Sequence, residues 1–227
     1  VQRESTSPFP PTSATSPFHV IATPTGAICN IACEYCFYLD KEQLYPHTKR
    51  SDFRMAEDVL ERYIQQYIEA QPSNIEVNFA WQGGEPTLLG IDFFRQAVAL
   101  QARHARPGQL ISNALQTNGM LLDDEWCSFL REAKFLVGIS IDGAQALHDR
   151  YRLDLKGQGT FSRVMAGLEA LQRNQVEWNA LCVVQSDNGD HGAAVYRFLK
   201  GAGARFMQFI PIVEPQPGGG VSSRSVH

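Results

Sequence analysis

Three cysteines lie close together near the start of the chain, at Cys29, Cys33 and Cys36. Their C-x3-C-x2-C spacing places three thiolates on one short loop, and such a loop can hold three corners of a cubane [4Fe-4S] cluster. The remaining cysteines, Cys127 and Cys182, lie far away in segments with the patterns of a helix and a strand, where we expect them to be buried as small apolar residues. One iron of the cluster would therefore stay open to a ligand other than cysteine.

The three cysteines could also bind a structural zinc ion or form disulfides. A structural zinc site needs four closed ligands, usually from two separated pairs, and His19 or His47 is near enough in sequence to supply the fourth. Disulfides within the loop are disfavoured because the spacing is too short and the total of five cysteines is odd. The loop alone therefore favours an iron–sulfur cluster and leaves zinc open.

The composition limits the classes of protein to which the chain can belong. Its 227 residues suit one large or two small domains, and 44% hydrophobic residues allow a sizeable core. A net charge of -4 argues against a nucleic-acid partner held by bulk charge. No apolar run is long enough to span a bilayer, and no signal peptide is evident, so we expect no membrane partner. The cysteine usage predicts a reducing compartment, the cytoplasm.

The sequence divides into three parts. Residues 1–17 are rich in Ser, Thr and Pro and are predicted to be a disordered lead-in. Residues 18–213 form the predicted core domain. Residues 214–227 are predicted to be a polar tail; the sequence begins with Val1, and both ends look cut or disordered.

Hydrophobic patterning predicts alternating strands and helices within the core. The predicted strands are 18–21, 75–81, 110–115, 135–141, 177–184 and 205–213, and the predicted helices are 55–70, 92–106, 123–133, 160–173 and 191–202. This alternation implies right-handed crossovers and a parallel sheet, either doubly wound or curled into a partial barrel. No G-x-G-x-x-G follows the first strand, which disfavours a dinucleotide-binding domain.

Polar and glycine-rich segments follow four of these strands. The cysteine loop follows the first, Gly83-Gly84-Glu85-Pro86 the second, Thr117-Asn118-Gly119 the third, and Ser140 and Asp142 end the fourth. Residues beyond the carboxyl ends of parallel strands converge on one site. We therefore expect these segments to face one another.

The open iron of such a site needs a chelating ligand, and the amino and carboxylate groups of an amino acid would serve. Glu85 would accept hydrogen bonds from the amino group, and Arg152 and Ser140 would hold the carboxylate. Each residue also has an ordinary structural interpretation, since Gly-Gly-Glu-Pro suits a plain turn and Arg152 suits a solvated loop. The pair His148-Asp149 is more typical of a structural contact than of acid–base chemistry.

Several motifs together resemble a known family. The cysteine loop with Tyr35 resembles the signature of the radical S-adenosylmethionine superfamily. Five further segments resemble a narrower group, the anaerobic sulfatase-maturating enzymes: 36–39, 81–87, 115–119, 137–143 and 206–210. The resemblance covers about residues 18 to 213.

The resemblance implies a fold, cofactors and residue roles. The fold would be an α/β partial (β/α)6 TIM-like barrel. Cys29, Cys33 and Cys36 would ligate the cluster, and S-adenosylmethionine would chelate the open iron. The predicted cofactor-binding residues are Tyr35, Tyr38, Gln82, Gly83, Gly84, Glu85, Thr117, Asn118, Ser140 and Arg152. Among them, Glu85 would take the amino group, Ser140 and Arg152 would help hold the ribose and carboxylate, and Tyr38 and Gln82 would line the cofactor and substrate pocket.

The resemblance also implies an activity and partners. A 5′-deoxyadenosyl radical would take a hydrogen from a cysteine or serine of a sulfatase polypeptide, giving Cα-formylglycine, with a flavodoxin or ferredoxin as reductant. Family members continue into a cysteine-rich C-terminal SPASM region that carries two further clusters and an aspartate proposed as the base. No cysteine follows residue 213 here, so we expect residues 214–227 to be the cut start of this missing region, unless the protein is a shortened relative. The family's base would lie in the missing region, and no catalytic residue is predicted in this sequence. Another radical S-adenosylmethionine peptide maturase and a non-enzymatic metal-binding module stay open as alternatives.

Overall fold

The computed structural model describes residues 16–44, 49, 52–216 and 218–226. Most of the predicted lead-in, residues 1–15, lies outside them. The strands are β1 Val20–Ala22, β2 Glu76–Trp81, β3 Leu110–Thr117, β4 Phe135–Ser140, β5 Trp178–Val184 and β6 Met207–Pro211. The α-helices are α1 Glu57–Ala70, α2 Ile91–His104, α3 Asp124–Glu132, α4 Gln145–His148, α5 Phe161–Arg173, α6 Ser186–Gly189 and α7 Gly192–Gly201. Two 3₁₀ helices cover Leu39–Leu44 and Pro86–Leu89.

All six strands form one parallel sheet in the order β1-β2-β3-β4-β5-β6. A doubly wound sheet reverses its strand order part-way, so this order excludes it. Each strand joins the sheet next to the preceding strand and always in the same direction. Right-handed crossovers therefore place all the connecting helices on one face of the sheet. The sheet curls away from them into a half-barrel, which confirms the predicted partial (β/α)6 barrel. No pairing between the described residues joins β1 to β6.

The main core lies between the convex face of the sheet and the helices. Alternate residues of β2, namely Val77, Phe79 and Trp81, are buried there. Helix α1 presents a matching stripe of buried residues: Leu60, Ile64, Tyr67 and Ile68. This alternation in strands and three-to-four spacing in helices is the pattern from which the elements were predicted.

The concave face of the sheet carries small and neutral polar side chains. Asn78 donates to the Ser112 hydroxyl at 2.9 Å, and Gln116 donates to the Ser140 hydroxyl at 3.0 Å. A cavity of about 200 Å³ opens above Ala80, Gly138 and their neighbours. The concave face therefore carries hydrogen-bonding groups, together with Leu136 and Leu181, on the way to the strand ends.

Residues 218–226, in the predicted polar tail, pack on the core. The segment turns back through the bridge between Pro215 and Val221. The Glu214 carboxylate accepts hydrogen bonds from Ser222 at 2.6 Å and Arg224 at 3.0 Å, and Ser225 is fully buried. The polar groups of this segment therefore satisfy one another.

Two short helices, α4 and α6, were not predicted. Each spans only four residues, which is too short for a hydrophobic period to appear in the sequence. Helix α6 depends on Gln185, whose side chain accepts hydrogen bonds from the backbone amides of Asp187 and Asn188. None of the described helices is long and apolar enough to cross a bilayer.

Candidate functional site

The cysteine loop is docked on the end of β2 by backbone hydrogen bonds. The amides of Gly84 and Glu85 donate to the carbonyls of Gly26 and Ile28, both at 2.8 Å. A Cβ at Gly84 would lie 2.0 Å from the Ile28 carbonyl oxygen, so only glycine allows this approach. Gly83 adopts a positive φ of 123°. The Gly-Gly pair therefore allows the backbone of the cysteine loop to pack directly against the end of β2.

The predicted site residues come together around one cavity of about 290 Å³ at the carboxyl ends of the strands. The predicted residues that line it are Cys29, Cys33, Cys36, Tyr35, Gln82, Gly83, Gly84, Thr117, Asn118, Ser140 and Arg152. The cavity wall also includes residues that were not predicted: Ile31, Phe37, Gln116, Leu181, Val183, Ile210 and Ile212. Segments scattered through 180 residues of sequence thus meet as the parallel strand ends required.

Arg152 lies in the floor of this cavity and is not a solvated loop residue. Asp142 accepts from its Nε at 2.8 Å and from its Nη2 at 3.2 Å, and both side chains are buried. The remaining nitrogen, Nη1, lies 3.9 Å from the Cys33 sulfur. Although burial works against the charged form, the neighbouring Asp142 carboxylate holds the pKa of Arg152 well above its usual range. The guanidinium is therefore a fixed positive charge beside the cysteine loop.

Asp142 is the residue at which these contacts converge. Besides Arg152, its carboxylate accepts from the Tyr35 hydroxyl and from the Val183 amide, the latter at 2.9 Å. The sequence placed Asp142 at the end of the fourth predicted strand and indicated no role for it. Its position before Gly143 could have suggested one. A buried Asp at a strand end needs a partner cation, and Arg152 follows shortly afterwards.

Burial governs the chemistry of two cysteine thiols. Burial, with a smaller contribution from the Glu85 charge, raises the pKa of Cys29 to about 12. Burial raises the pKa of Cys33 to about 11, and the nearby Arg152 partly offsets that effect. Metal binding to a thiol displaces its proton, so both sulfurs depend on a bound metal to become thiolates at neutral pH.

The Glu85 carboxylate is held by hydrogen bonds from the ends of β2 and β3. Glu85 is fully buried, and its oxygens accept from Thr87, Thr117 and Asn118. Burial raises its pKa, and these hydrogen bonds counteract the rise. The carboxylate therefore joins the end of β2 to the end of β3, and its predicted contact with a ligand's amino group stays a prediction.

Tyr38 borders a neighbouring cavity, and its predicted place in the cofactor and substrate pocket stays a prediction. It lines a second cavity of about 250 Å³, on the side of the cysteine loop formed by Ala27, Ala32 and Leu155. Cys29 and Cys36 border both cavities, so Tyr38 adjoins the loop without facing the strand ends. A larger cavity of about 470 Å³, lined by Leu136, Trp178 and Phe206 among others, lies at the opposite ends of the strands and contacts none of the predicted site residues.

The other residues considered for chemistry have structural roles. His148 is buried, with Nδ1 accepting from the Asp142 amide and Nε2 bonded to Thr160. Asp149 accepts from the Phe161 amide at 2.8 Å. Cys127 and Cys182 are free and fully buried. These placements agree with the structural interpretations made from the sequence.

The arrangement of the cysteines fits a cubane cluster better than a single ion. Among the described residues, no group of three or more His, Cys, Asp and Glu side chains is close enough to hold one metal ion. The thiolates of a cubane cluster need not be close enough to share one ion, because each binds a different iron. The three cysteines border one cavity, and N–H groups of Asn118 and Arg152 lie 3.7 and 3.9 Å from two of the sulfurs. This donor set fits a [4Fe-4S] cluster; His47, one of the two histidines considered as a fourth zinc ligand, lies outside the described residues.

Comparison with protein families agrees with this geometry. The model of the radical SAM superfamily matches residues 23–199, which include the cysteine loop and strands β2 to β5. The chain belongs to the radical SAM superfamily. Members of that superfamily use a [4Fe-4S] cluster and S-adenosylmethionine, and the three-cysteine loop is where the cluster is expected.

Individual relatives narrow the comparison. The chain is 46% identical, over 87% of its length, to a serine-type anaerobic sulfatase-maturating enzyme of Klebsiella aerogenes, and it covers 47% of that protein. It is 39% identical, over 88% of its length, to a cysteine-type enzyme of Clostridium perfringens, and covers 53% of it. A solved structure of anSMEcpe with bound AdoMet and Cp18Cys peptide matches with a TM-score of 0.81 at 37% identity, over 91% of this chain and 54% of that one. The chain thus spans about half the length of the relatives it matches.

Proposed function

We propose that this chain is the catalytic core of an anaerobic sulfatase-maturating enzyme. It would cleave S-adenosylmethionine reductively at a [4Fe-4S] cluster and oxidise a cysteine or serine of a sulfatase polypeptide to Cα-formylglycine. The observation that carries the proposal is the single cavity in which all three loop cysteines meet the ends of β2, β3 and β4. The named relatives of both substrate types support the choice of reaction.

The three loop cysteines would bind the cluster, and the bound cofactors would supply the radical chemistry. Cys29, Cys33 and Cys36 would hold the cluster. When bound, the cluster and S-adenosylmethionine together supply a 5′-deoxyadenosyl radical, which takes a hydrogen atom from the Cβ of the substrate residue. For a serine, transfer of one further electron to an external one-electron acceptor, such as a second iron–sulfur cluster, and loss of a proton would complete the oxidation to the aldehyde. For a cysteine, the same losses would give a thioaldehyde, and water would convert it to the aldehyde with release of hydrogen sulfide.

Ser140, Gln82 and the backbone at Gly83 would place S-adenosylmethionine, because they border the cavity beside the cysteine loop. Gln116 fixes the Ser140 hydroxyl through its 3.0 Å hydrogen bond. Arg152 presents positive charge on the same side and would attract the carboxylate. For the Glu85 carboxylate we propose positioning of Asn118, in addition to its predicted contact with the amino group of S-adenosylmethionine.

The substrate would enter over the apolar rim formed by Leu181, Val183, Ile210 and Ile212. Such a rim excludes water from a radical centre, which protects it from side reactions. We propose a low-potential flavodoxin or ferredoxin as the reductant, since the cluster must be reduced before cleavage. The free thiols of the described chain support a reducing, cytoplasmic location as part of the proposal.

Peptide oxidation tests the proposal. The anaerobically reconstituted chain would be incubated with S-adenosylmethionine, a reductant and matched sulfatase peptides that carry either Cys or Ser at the modified position. Mass spectrometry is expected to show an aldehyde that reacts with a hydrazine probe, together with 5′-deoxyadenosine. A matched control is the Cys182→Ala variant, which removes a buried cysteine outside the loop and is expected to retain product. Formation of 5′-deoxyadenosine with no aldehyde on either peptide would contradict the assigned substrate.

A further inference from the structure

The side chain of Asn118 lies between the end of β3 and the cysteine loop. Its Nδ2 donates to the Asn30 side-chain oxygen at 2.7 Å and lies 3.7 Å from the Cys29 sulfur. A primary amide nitrogen carries two hydrogens. One hydrogen is used by Asn30, and the other is directed at the sulfur.

Three contacts fix this amide in place. The Asn118 backbone amide donates to Glu85 Oε2 at 2.7 Å, and its side-chain oxygen accepts from the Met120 amide at 3.0 Å. The neighbouring Thr117 hydroxyl donates to Glu85 Oε1 at 2.7 Å. Asn118 and Glu85 are both buried. The buried carboxylate therefore holds the segment that aims the amide at Cys29.

We propose that Asn118 donates an N–H···S hydrogen bond to the Cys29 thiolate of the bound cluster, and that Glu85 is a positioning residue that acts through Asn118. Hydrogen bonds to cluster sulfurs raise the reduction potential, because they stabilise the extra negative charge of the reduced cluster. The pair would thus make the cluster easier to reduce. The inference rests on the cluster-binding part of the proposed function and not on the identity of the substrate.

The reduction potential of the reconstituted cluster, measured without S-adenosylmethionine, tests the donor. Asn118→Leu removes the N–H group without changing the charge. We expect the equilibrium to shift about tenfold toward the oxidised cluster, which lowers the potential by about 59 mV for a one-electron couple. The matched control is Asn113→Leu, the same substitution at a buried β3 residue that faces Trp81 and Gln101 on the helix side. A potential that is unchanged in Asn118→Leu, or lowered equally in the control, would overturn the proposal.

A double-mutant cycle tests the positioning role of Glu85. Loss of a nearby negative charge alone would raise the potential, whereas misplacement of the Asn118 amide lowers it. Glu85→Gln is expected to lower the potential in the wild-type background and to have no further effect in the Asn118→Leu background. A raised potential, or two shifts that simply add, would overturn the role of Glu85 as a positioning residue.

A spectroscopic measurement on the wild-type chain does not depend on the folding of any variant. With ¹⁵N placed in asparagine side-chain amides, pulsed electron paramagnetic resonance of the reduced cluster is expected to detect a weakly coupled nitrogen. The signal should persist in Asn113→Leu and vanish in Asn118→Leu. A reduced cluster with no such coupling would overturn the inference and leave the proposed function standing. A wild-type chain that binds no iron would instead overturn the proposed function.

Discussion

Asp142 holds the Arg152 guanidinium through two hydrogen bonds, of 2.8 Å to Nε and 3.2 Å to Nη2, inside the wall of the cysteine cavity. The same carboxylate accepts from Tyr35 of the cysteine loop and from the Val183 amide of β5. One buried residue therefore joins the end of β4 to β5, to the cysteine loop and to a fixed positive charge. This connection explains why the cysteine loop keeps its place over the strand ends.

Asp142→Asn is expected to destabilise the protein by about 3 kcal/mol, because removing one member of a buried ion pair leaves the other charge uncompensated. Chemical denaturation under anaerobic conditions measures the loss. The exposed pair of Asp92 and Arg95 provides the control, since Asp92→Asn should produce no measurable change. Equal stabilities of wild type and Asp142→Asn would show that the buried pair does not hold the loop.

Gly84→Ala is expected to abolish cluster binding by displacing the cysteine loop. The added Cβ would lie 2.0 Å from the Ile28 carbonyl oxygen, which is a backbone atom and cannot rotate away. Iron content after anaerobic reconstitution is the measurement, with circular dichroism to confirm that the strands persist. Gly192→Ala, which meets nothing within 4 Å, should bind iron as the wild type does. Full iron content in Gly84→Ala would contradict the docking role of this glycine.

His148 should make stability depend on pH in the acid range. Burial, aided by the nearby Arg152 charge, lowers the pKa of His148 to about 4 from 6.5, and the Asp142 and Asp149 charges only partly oppose it. The unfolded chain then binds more protons than the folded chain between these values. Stability is thus complete above about pH 6.5 and falls by about 3 kcal/mol as the pH drops toward 4.

Denaturant midpoints measured from pH 4 to 7 test this dependence. A His148→Gln variant removes the titrating group while keeping a polar side chain, so its pH profile should be flatter than that of the wild type over the same range. Parallel profiles for the two proteins would show that another group causes the acid sensitivity.

The exposed edge strand β6 is expected to promote self-association. Phe206, just before this strand, and Phe209, in its middle, are 69% and 43% exposed. A charged residue on an edge strand opposes edge-to-edge pairing. Light scattering should therefore show less association for Phe209→Lys than for the wild type. Leu110→Lys, at an exposed residue of the interior strand β3, should leave association unchanged, and equal reduction by both variants would argue for a general charge effect.

Much of the fold was predictable because its elements repeat a simple pattern. Alternation in β2 and the stripe of α1 each reflect one buried face, and the strand bounds differ from prediction by one or two residues in most elements. The sequence left the doubly wound sheet and the partial barrel open, since both need the same alternation. Strand order decides between them, and it depends on pairings between distant residues.

The site was predictable to the level of segments but not of side-chain directions. Strand ends bring Cys29, Ser140 and Arg152 together whatever the details, because parallel strands share one carboxyl edge. Whether Glu85 faces the cavity or the interior depends on the hydrogen-bond donors Thr117 and Asn118 at the end of β3, which are 32 and 33 residues away in sequence. Local sequence carries no signal for such a choice.

Reductive cleavage of S-adenosylmethionine is the most direct test that the cysteine loop holds a radical-generating cluster. The chain would be reconstituted anaerobically with iron and sulfide, reduced with dithionite and assayed for 5′-deoxyadenosine beside a Cys33→Ala variant. We expect 5′-deoxyadenosine from the wild type and none from the Cys33→Ala variant, because the loop cysteines hold the radical-generating cluster. A wild-type chain that binds about four irons and forms no 5′-deoxyadenosine, or a Cys33→Ala variant that forms as much as the wild type, would contradict this role of the cysteine loop.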